Sequence, residues 1–269
     1  MASVGSGRAV DESRLHGARD VQADAPLRWL MAGWRDLVRC PLPGLAHGVA
    51  TAAFGLALAL LGYRHFWGLA GAISGFLIVA PIVATGLYAI SAALERGEQP
   101  TLGTALAAWR PGPGRGRLVA FGLLLALAGT GWVLTSASLI TSFAPGRVGE
   151  PIEFVRRVVL AEDSLLFEGW LALGGVLAAP VFASTVVAVP MLMDRRIGVL
   201  AAVLTSWRCV LANPVTMAVW AATIASLTLA GMVAGMLGLV VVVPWLGHAS
   251  WHAYRDLVGP ARDETGAGA

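Results

Sequence analysis

The sequence predicts an all-α protein, a polytopic transmembrane helical bundle of about six spans. Two observations carry that prediction. Hydrophobic residues make up 57% of the chain and charged residues only 13%, whereas a soluble domain carries about 25% charged residues. So few polar groups cannot cover a water-facing surface, and such a chain takes lipid as its solvent. The apolar residues also fall in long uncharged stretches, and a membrane-crossing helix needs roughly 20 of them.

Taken in order, the first 26 residues are polar and rich in Gly and Ala. They lack the apolar core of a signal peptide and read as a disordered cytoplasmic tail. The transmembrane domain runs from 27 to 259, and residues 260–269 form a second disordered tail. The first uncharged stretch is Leu42 to Tyr63. The second is Phe66 to Leu94, containing Pro81. The third is Leu118 to Phe143, and the fourth is Gly169 to Met193, containing Pro180 and Pro190. The fifth runs from Cys209 to Ala253 with no Asp, Glu or Arg. As one helix it would be about 65 Å long, roughly twice the hydrocarbon thickness. Two spans turning near Gly231, Gly235 and Gly238 fit better, the last covering about Leu237 to Ala253. The competing reading is one long helix ending at Pro244.

Every one of the 19 basic residues is Arg, which with the abundant Ala and Gly points to a high-GC bacterial genome. Six spans with the N-terminus inside put 15 Arg in the cytoplasm and 4 outside, and five spans give 13 and 6. Basic residues favour the cytoplasm, so six spans in the bacterial inner membrane, with both termini cytoplasmic, is the preferred topology. The Arg residues are spread along the chain, so nucleic acid is not expected as a partner.

Trp-Arg occurs three times, before each odd-numbered span: Trp34-Arg35, Trp109-Arg110 and Trp207-Arg208. Each closes a short amphipathic stretch, and these residues are expected to anchor it at the interface. Pro41 and Pro214 follow Trp at the same offset in the first and third copies. Val79-Ala80-Pro81, Ala188-Val189-Pro190 and Val242-Val243-Pro244 form a second mark, one in each even-numbered span. Together they suggest three copies of an interfacial helix plus a transmembrane hairpin, a construction also known in transport folds. Pro81, Pro190 and Pro244 are expected to kink their helices. The kinks would open a shared cavity or serve packing. Gly44/Gly48, Gly71/Gly75 and Gly231/Gly235 are pairs that let helix backbones approach closely.

His248 and His252 share one helix face, and His47 lies one turn into the first span. At one depth, three imidazoles would suit haem or a divalent metal. In the plainer reading His47 is an interfacial hydrogen-bonder, and His248 and His252 join an aromatic belt with Trp245, Trp251 and Tyr254. Glu168 and Asp194 sit at the edges of the fourth span as solvated boundary residues, and no uncharged span contains an Asp, Glu or Arg. Thr130, Thr135, Ser136, Ser138, Thr141 and Ser142 make the third span polar on one side. They either line a path or bond their own helix backbone. Residues 151–167 mix apolar and charged groups as an outer-leaflet amphipathic helix does. Cys40 and Cys209 form no CxxC motif. There is no P-loop, GxSxG or HExxH motif, so an enzyme is not expected, and neither is a cofactor, haem being the alternative.

Several stretches are familiar as a set. Arg39-Cys40-Pro41-Leu42-Pro43-Gly44-Leu45, Ser74 to Pro81, Gly86 to Ser91, Glu95-Arg96-Gly97, Val189 to Arg195, Asn213-Pro214 with Met217 and Trp220, and Leu246 to Leu257 resemble the domain-of-unknown-function 2189 family of bacterial integral membrane proteins. The resemblance runs over about residues 27–259. It implies a multi-span inner-membrane protein without an established activity or functional residues. Some members are labelled putative cytochrome c oxidase subunit. An oxidase catalytic subunit needs about twelve spans and several haem and copper histidines, which this chain lacks. The leading expectation is a non-enzymatic accessory or scaffold protein of a membrane complex, in contact with lipid and with another membrane protein or its own copies. The alternatives are a small-molecule or lipid channel or transporter, and a haem- or metal-binding membrane protein.

Overall fold

The computed structural model describes residues 7, 9–13, 17–62, 67, 70–72, 80, 82–110, 115–161 and 164–258. Among the described residues the secondary structure is helical, without strands. In chain order the helices are α1 (Ala25–Arg39), α2 (Pro41–Gly62), α3 (Thr85–Glu95), α4 (Leu102–Ala107), α5 (Arg115–Phe143) and α6 (Pro151–Phe154). A π-helical turn (Val155–Val159) continues α6. Then follow α7 (Leu166–Thr185), α8 (Ala188–Asp194), α9 (Val199–Ala212), α10 (Pro214–Val233) and α11 (Leu239–Val258).

Among the described residues four helical stretches are long and apolar enough to cross a membrane: Pro41–Leu60, Gly116–Phe143, Leu166–Asp194 and Pro214–Val233. They are the first, third, fourth and fifth expected spans. Most of the second lies outside the described residues, Pro81 included, and α3 is its end. The tail at 260–269 also lies outside them. The stretch from Cys209 to Ala253 is not one long helix. It turns at Gly235 and Met236, both with φ near +65° (65° and 66°), a region that suits Gly and strains Met. A β-carbon at Gly238 would lie 2.7 Å from the Gly231 Cα. The close pair is therefore Gly231/Gly238, while Gly235 serves the turn.

α11 is the centre of the bundle and packs against α1, α2 and α3. Small residues allow this. A β-carbon at Gly33 on α1 would lie 2.5 Å from the Ala249 nitrogen, and one at Gly48 on α2 would lie 2.0 Å from the Val240 carbonyl oxygen. Val240 is four residues before Pro244, whose ring has no N–H for it. The helix bond that proline removes thus leaves a carbonyl lying against a glycine backbone. Pro190 acts differently from the expected mid-span kink. The helix ends at Thr185 and restarts at Ala188, placing Pro190 in the first turn of α8, where no N–H is needed. Ser206 Oγ accepts the Val187 N–H across this break at 3.1 Å.

The first amphipathic stretch turns its apolar stripe outward. Leu27, Met31, Trp34 and Val38 of α1 are exposed, while Trp29, Gly33, Asp36 and Leu37 are buried. This arrangement suits an interfacial helix with lipid on its outer side. Cys40 alone separates the end of α1 from the start of α2 at Pro41, and Asn213 alone separates α9 from α10 at Pro214. Cys40 (φ −137°, ψ 67°) and Asn213 (φ −128°, ψ 53°) share one backbone conformation, because a residue before proline is kept out of the helical region.

Within the stretch expected as a disordered tail, the chain at Arg19 and Val21 is hydrogen-bonded to the bundle. Arg19 N–H donates to the Leu257 carbonyl (2.8 Å), Val21 N–H to Asn213 Oδ1 (2.8 Å), and Asn213 Nδ2 to the Arg19 carbonyl (2.8 Å). The N-terminal segment and the end of α11 therefore lie side by side. In the 151–167 loop, α6 and the π-helical turn carry exposed Ile152 and Val155, Leu160 after them is exposed too, and Val158 is buried in a cluster with Ile140 and Leu166.

Candidate functional site

α1, α3 and α11 bring a carboxylate, a hydroxyl and two imidazoles together inside the bundle. Asp36 shares the buried face of α1 with Trp29 and Gly33, spaced four and three residues apart as a helix face requires. Its Oδ2 accepts from the Ser91 hydroxyl of α3 at 2.7 Å and meets His252 Nε2 of α11 at 2.8 Å. The same Ser91 oxygen lies 2.8 Å from His248 Nδ1, one helical turn before His252. His248 and Ser91 are fully or almost fully buried, Asp36 is 6% exposed, and the His252 side chain reaches the edge at 29%.

Burial works against the charge on Asp36, but the hydrogen bonds from His252 and Ser91 outweigh it and hold the carboxyl below its usual range. An ionised carboxylate only accepts hydrogen bonds. Ser91 therefore gives its proton to Asp36 and can only accept from His248. His248 Nδ1 must carry the hydrogen, and its Nε2 is left as a bare lone pair. That atom is buried without a hydrogen-bond partner, as is His47 Nε2 on α2. Gly44 precedes His47 by three residues on α2, and a β-carbon there would sit 3.3 Å from His248 Nε2.

A second network closes the same end of the bundle. Tyr254 donates to Asp194 at 2.6 Å, Trp251 Nε1 to Glu95 at 3.2 Å, and Arg255 pairs with Glu95 (3.1 Å) and Asp194 (3.7 Å). The Arg195 guanidinium lies 5.7 Å over the Tyr254 ring. Asp194 is therefore more than a solvated boundary residue, whereas Glu168 is exposed as expected. Trp251 and Tyr254 are 1% and 0% exposed. They face this network and the core, so they do not form the expected aromatic belt.

Of the three expected imidazoles, His248 and His252 lie on α11 and His47 on α2, which packs against it. His252 is committed to Asp36, and among the described residues no three His, Cys, Asp or Glu side chains are arranged to hold a metal ion. The Trp-Arg anchors divide. Trp34 packs edge-on against Trp245 at 5.4 Å, and Trp207 Nε1 donates to Ser184 Oγ at 2.9 Å. Arg208 donates to the Ser13 carbonyl at 2.8 Å, whereas Trp109, Arg35 and Arg110 are exposed. On α5, Thr130, Thr135 and Thr141 bond their own helix carbonyls, and Ser136 accepts from Trp170.

Sequence reasoning missed Asp36 and Ser91. A signal for Asp36 existed: it occupies the register of α1's inward face, between Gly33 and Leu37. Ser91 carries no comparable mark, since a lone Ser in an apolar stretch usually bonds its own helix.

A family model described as "Predicted integral membrane protein (DUF2189)" matches residues 69–194. Over that stretch the resemblance read from the sequence is shown. Ser91, Glu95 and Asp194 fall inside it, while Asp36, His47, His248 and His252 fall outside. No curated protein and no solved structure matches the chain.

Proposed function

We propose that this protein is a non-enzymatic accessory protein of the bacterial cytoplasmic membrane, a rigid six-span platform that holds a partner membrane protein. The order of groups in the buried chain carries this reading. In nucleophilic catalysis an imidazole stands between the carboxylate and the hydroxyl and removes the hydroxyl proton. Here Ser91 stands in the middle and donates to Asp36, so nothing activates it as a nucleophile. The chain instead ties α1 and α3 to α11, and the Asp194–Glu95–Arg255 network ties α8 and α3 to it.

Two further features support the reading. The N-terminal segment lies beside the end of α11, as an even number of crossings requires, and the Arg bias favours the cytoplasm for both. Little of α5 is buried within the chain, which leaves Val119, Leu123, Leu127 and Leu134 exposed to lipid or a neighbouring span.

The test places a photo-crosslinking residue at Leu123 and Leu127 in native membranes, followed by purification in mild detergent. One membrane protein crosslinked from α5 and co-purifying near stoichiometry is the expected result. Crosslinks to lipid alone, together with solute flux in proteoliposomes, would replace this reading with a transporter.

A further inference from the structure

We propose that α9 and the N-terminal segment form a binding site for one anionic phospholipid, with its phosphate on Arg208 and an acyl chain along Leu204 and Leu211. A cavity of about 400 Å³, partly open to the surface, lies between them. It is lined by Val10 and Ser13 of the segment and by Leu204, Trp207, Arg208 and Leu211 of α9. Small-ligand sites have this size, roughly 300–1,000 Å³.

Position comes first. α9 leads through Asn213 straight into α10, a stretch able to cross the membrane. This end of α9 therefore lies at a membrane surface, whichever side it faces. The helix turns Ala201, Ala202, Thr205, Ser206 and Cys209 into the bundle. Leu200, Leu204, Trp207 and Leu211 follow one another at helical spacing along another face, and Leu200 and Leu211 are exposed. An apolar stripe at that depth meets the boundary between headgroups and acyl chains. The Trp207 indole is held as a wall of the cavity by its bond to Ser184 Oγ at 2.9 Å.

Charge then selects the lipid. Arg208 stands beside the stripe, one turn after Leu204, and is half-buried. Its Nη1 donates to the Ser13 carbonyl at 2.8 Å, which holds the guanidinium at the cavity but leaves its charge unneutralised. A guanidinium has five N–H donors in a planar fork, and that fork matches a phosphate. Of the acids next to Ser13 in sequence, Glu12 accepts the Gly198 N–H and Asp11 is exposed. Among the described residues no carboxylate lines the cavity. Basic pockets at a membrane face take anionic headgroups. A zwitterionic lipid would bring its own cation to the guanidinium, and free phosphate would leave the leucines unused.

The probes are phosphatidylglycerol, phosphatidylcholine of the same chain length and inorganic phosphate, each titrated into the full chain in mild detergent and read by native mass spectrometry. One phosphatidylglycerol per chain is expected, bound about tenfold more tightly than phosphatidylcholine, as one hydrogen bond between charged groups provides. Arg208→Gln should erase the preference, Arg208→Lys should keep part of it, and Arg35→Gln, exposed on α1, should keep all of it. Leu211→Ser should weaken both lipids several-fold. Equal affinity for the two lipids overturns the inference. So does a preference that survives Arg208→Gln with an unchanged gel-filtration profile, or inorganic phosphate that displaces phosphatidylglycerol at equal concentration. Arg208→Gln also loses the Ser13 bond. Should it fail to fold, an unchanged affinity in Leu211→Ser still overturns the site. Partner capture through α5 uses another face of the protein, so the two readings fail separately.

Discussion

The Asp36–Ser91 pair permits a double-mutant test of the buried chain. Asp36 Oδ2 receives two hydrogen bonds, from Ser91 at 2.7 Å and from His252 at 2.8 Å. Bonds to charged groups contribute about 1.5–3 kcal/mol each. The His252 side chain is 29% exposed, so water replaces part of its loss, and Asp36→Ala should cost about 2–4 kcal/mol in all. Ser91→Ala removes one of those bonds and strands the His248 Nδ1–H, for about 1–3 kcal/mol. The double mutant should fall short of the sum by about 1–2 kcal/mol, because both single changes break the same bond. The readout is tryptophan fluorescence of the buried Trp29, Trp220 and Trp251 during unfolding in detergent at one fixed scan rate. Acid supplies the sign. Because the folded-state pKa of Asp36 is lowered, its contribution is complete above the unfolded carboxylate pKa, about 4. It is lost as pH falls through the lower folded value. The gap between wild type and Asp36→Asn should close in that acid range. Additive single mutants within about 0.5 kcal/mol, or a gap indifferent to acid, would refute the chain as drawn.

Three other perturbations follow from the packing. Gly48→Ala puts a methyl 2.0 Å from a backbone oxygen and should destabilise by about 1–3 kcal/mol or more. Gly55→Ala, 3.5 Å from the flexible Met236 side chain, is the near-neutral control, and equal unfolding midpoints for the two would contradict the α2–α11 contact. Asn213→Ala removes the side chain that holds Val21 and Arg19 and should speed tryptic cleavage after Arg19 several-fold. An unchanged cleavage rate would mean the segment is held by other groups. Burial raises the Cys40 thiol pKa, so maleimide labelling should be slow at neutral pH and rise above the free-thiol value of about 8.5. Fast labelling at pH 7 would show the thiol to be open to water.

The membrane class and most of the helix plan were legible because lipid imposes a coarse rule on sequence: long uncharged runs with punctuation between them. Gly231, Gly235 and Gly238 marked a real turn, and the pre-proline breaks at Cys40 and Asn213 came with the Trp-Pro offset. The candidate site was only half legible. His248 and His252 announce themselves by spacing, but their partner Asp36 sits on an interfacial helix some 200 residues earlier. Only the fold shows that this helix turns its polar residue inward and its apolar stripe outward. The aromatic residues misled for the same reason. Trp251 and Tyr254 have belt chemistry, yet α11 is enclosed by α1, α2 and α3, so their polar tips bond Glu95 and Asp194.

We propose a second register for the expected repeat, in which Pro180, in place of Pro190, is the counterpart of Pro81. Ala80-Pro81-Ile82-Val83-Ala84-Thr85 aligns with Ala179-Pro180-Val181-Phe182-Ala183-Ser184, and at the same distance downstream Glu95-Arg96 aligns with Asp194-Arg195. Glu95 and Asp194 then play one role, since both pair with Arg255. The tryptophans agree: a β-carbon at Gly86 would lie 3.6 Å from Trp109 Nε1, and Trp207 bonds Ser184, the residue aligned with Thr85 beside Gly86. Trp34 completes the set against Trp245, next to Pro244. In this register each Trp-Arg stretch would lean on the second helix of the unit before it, and the first on the last, an order that would close a ring and give α11 a reason to be polar. As the member that meets the first unit, it must also hold the N-terminal segment, through Leu257, and α1, through Asp256 and Trp29.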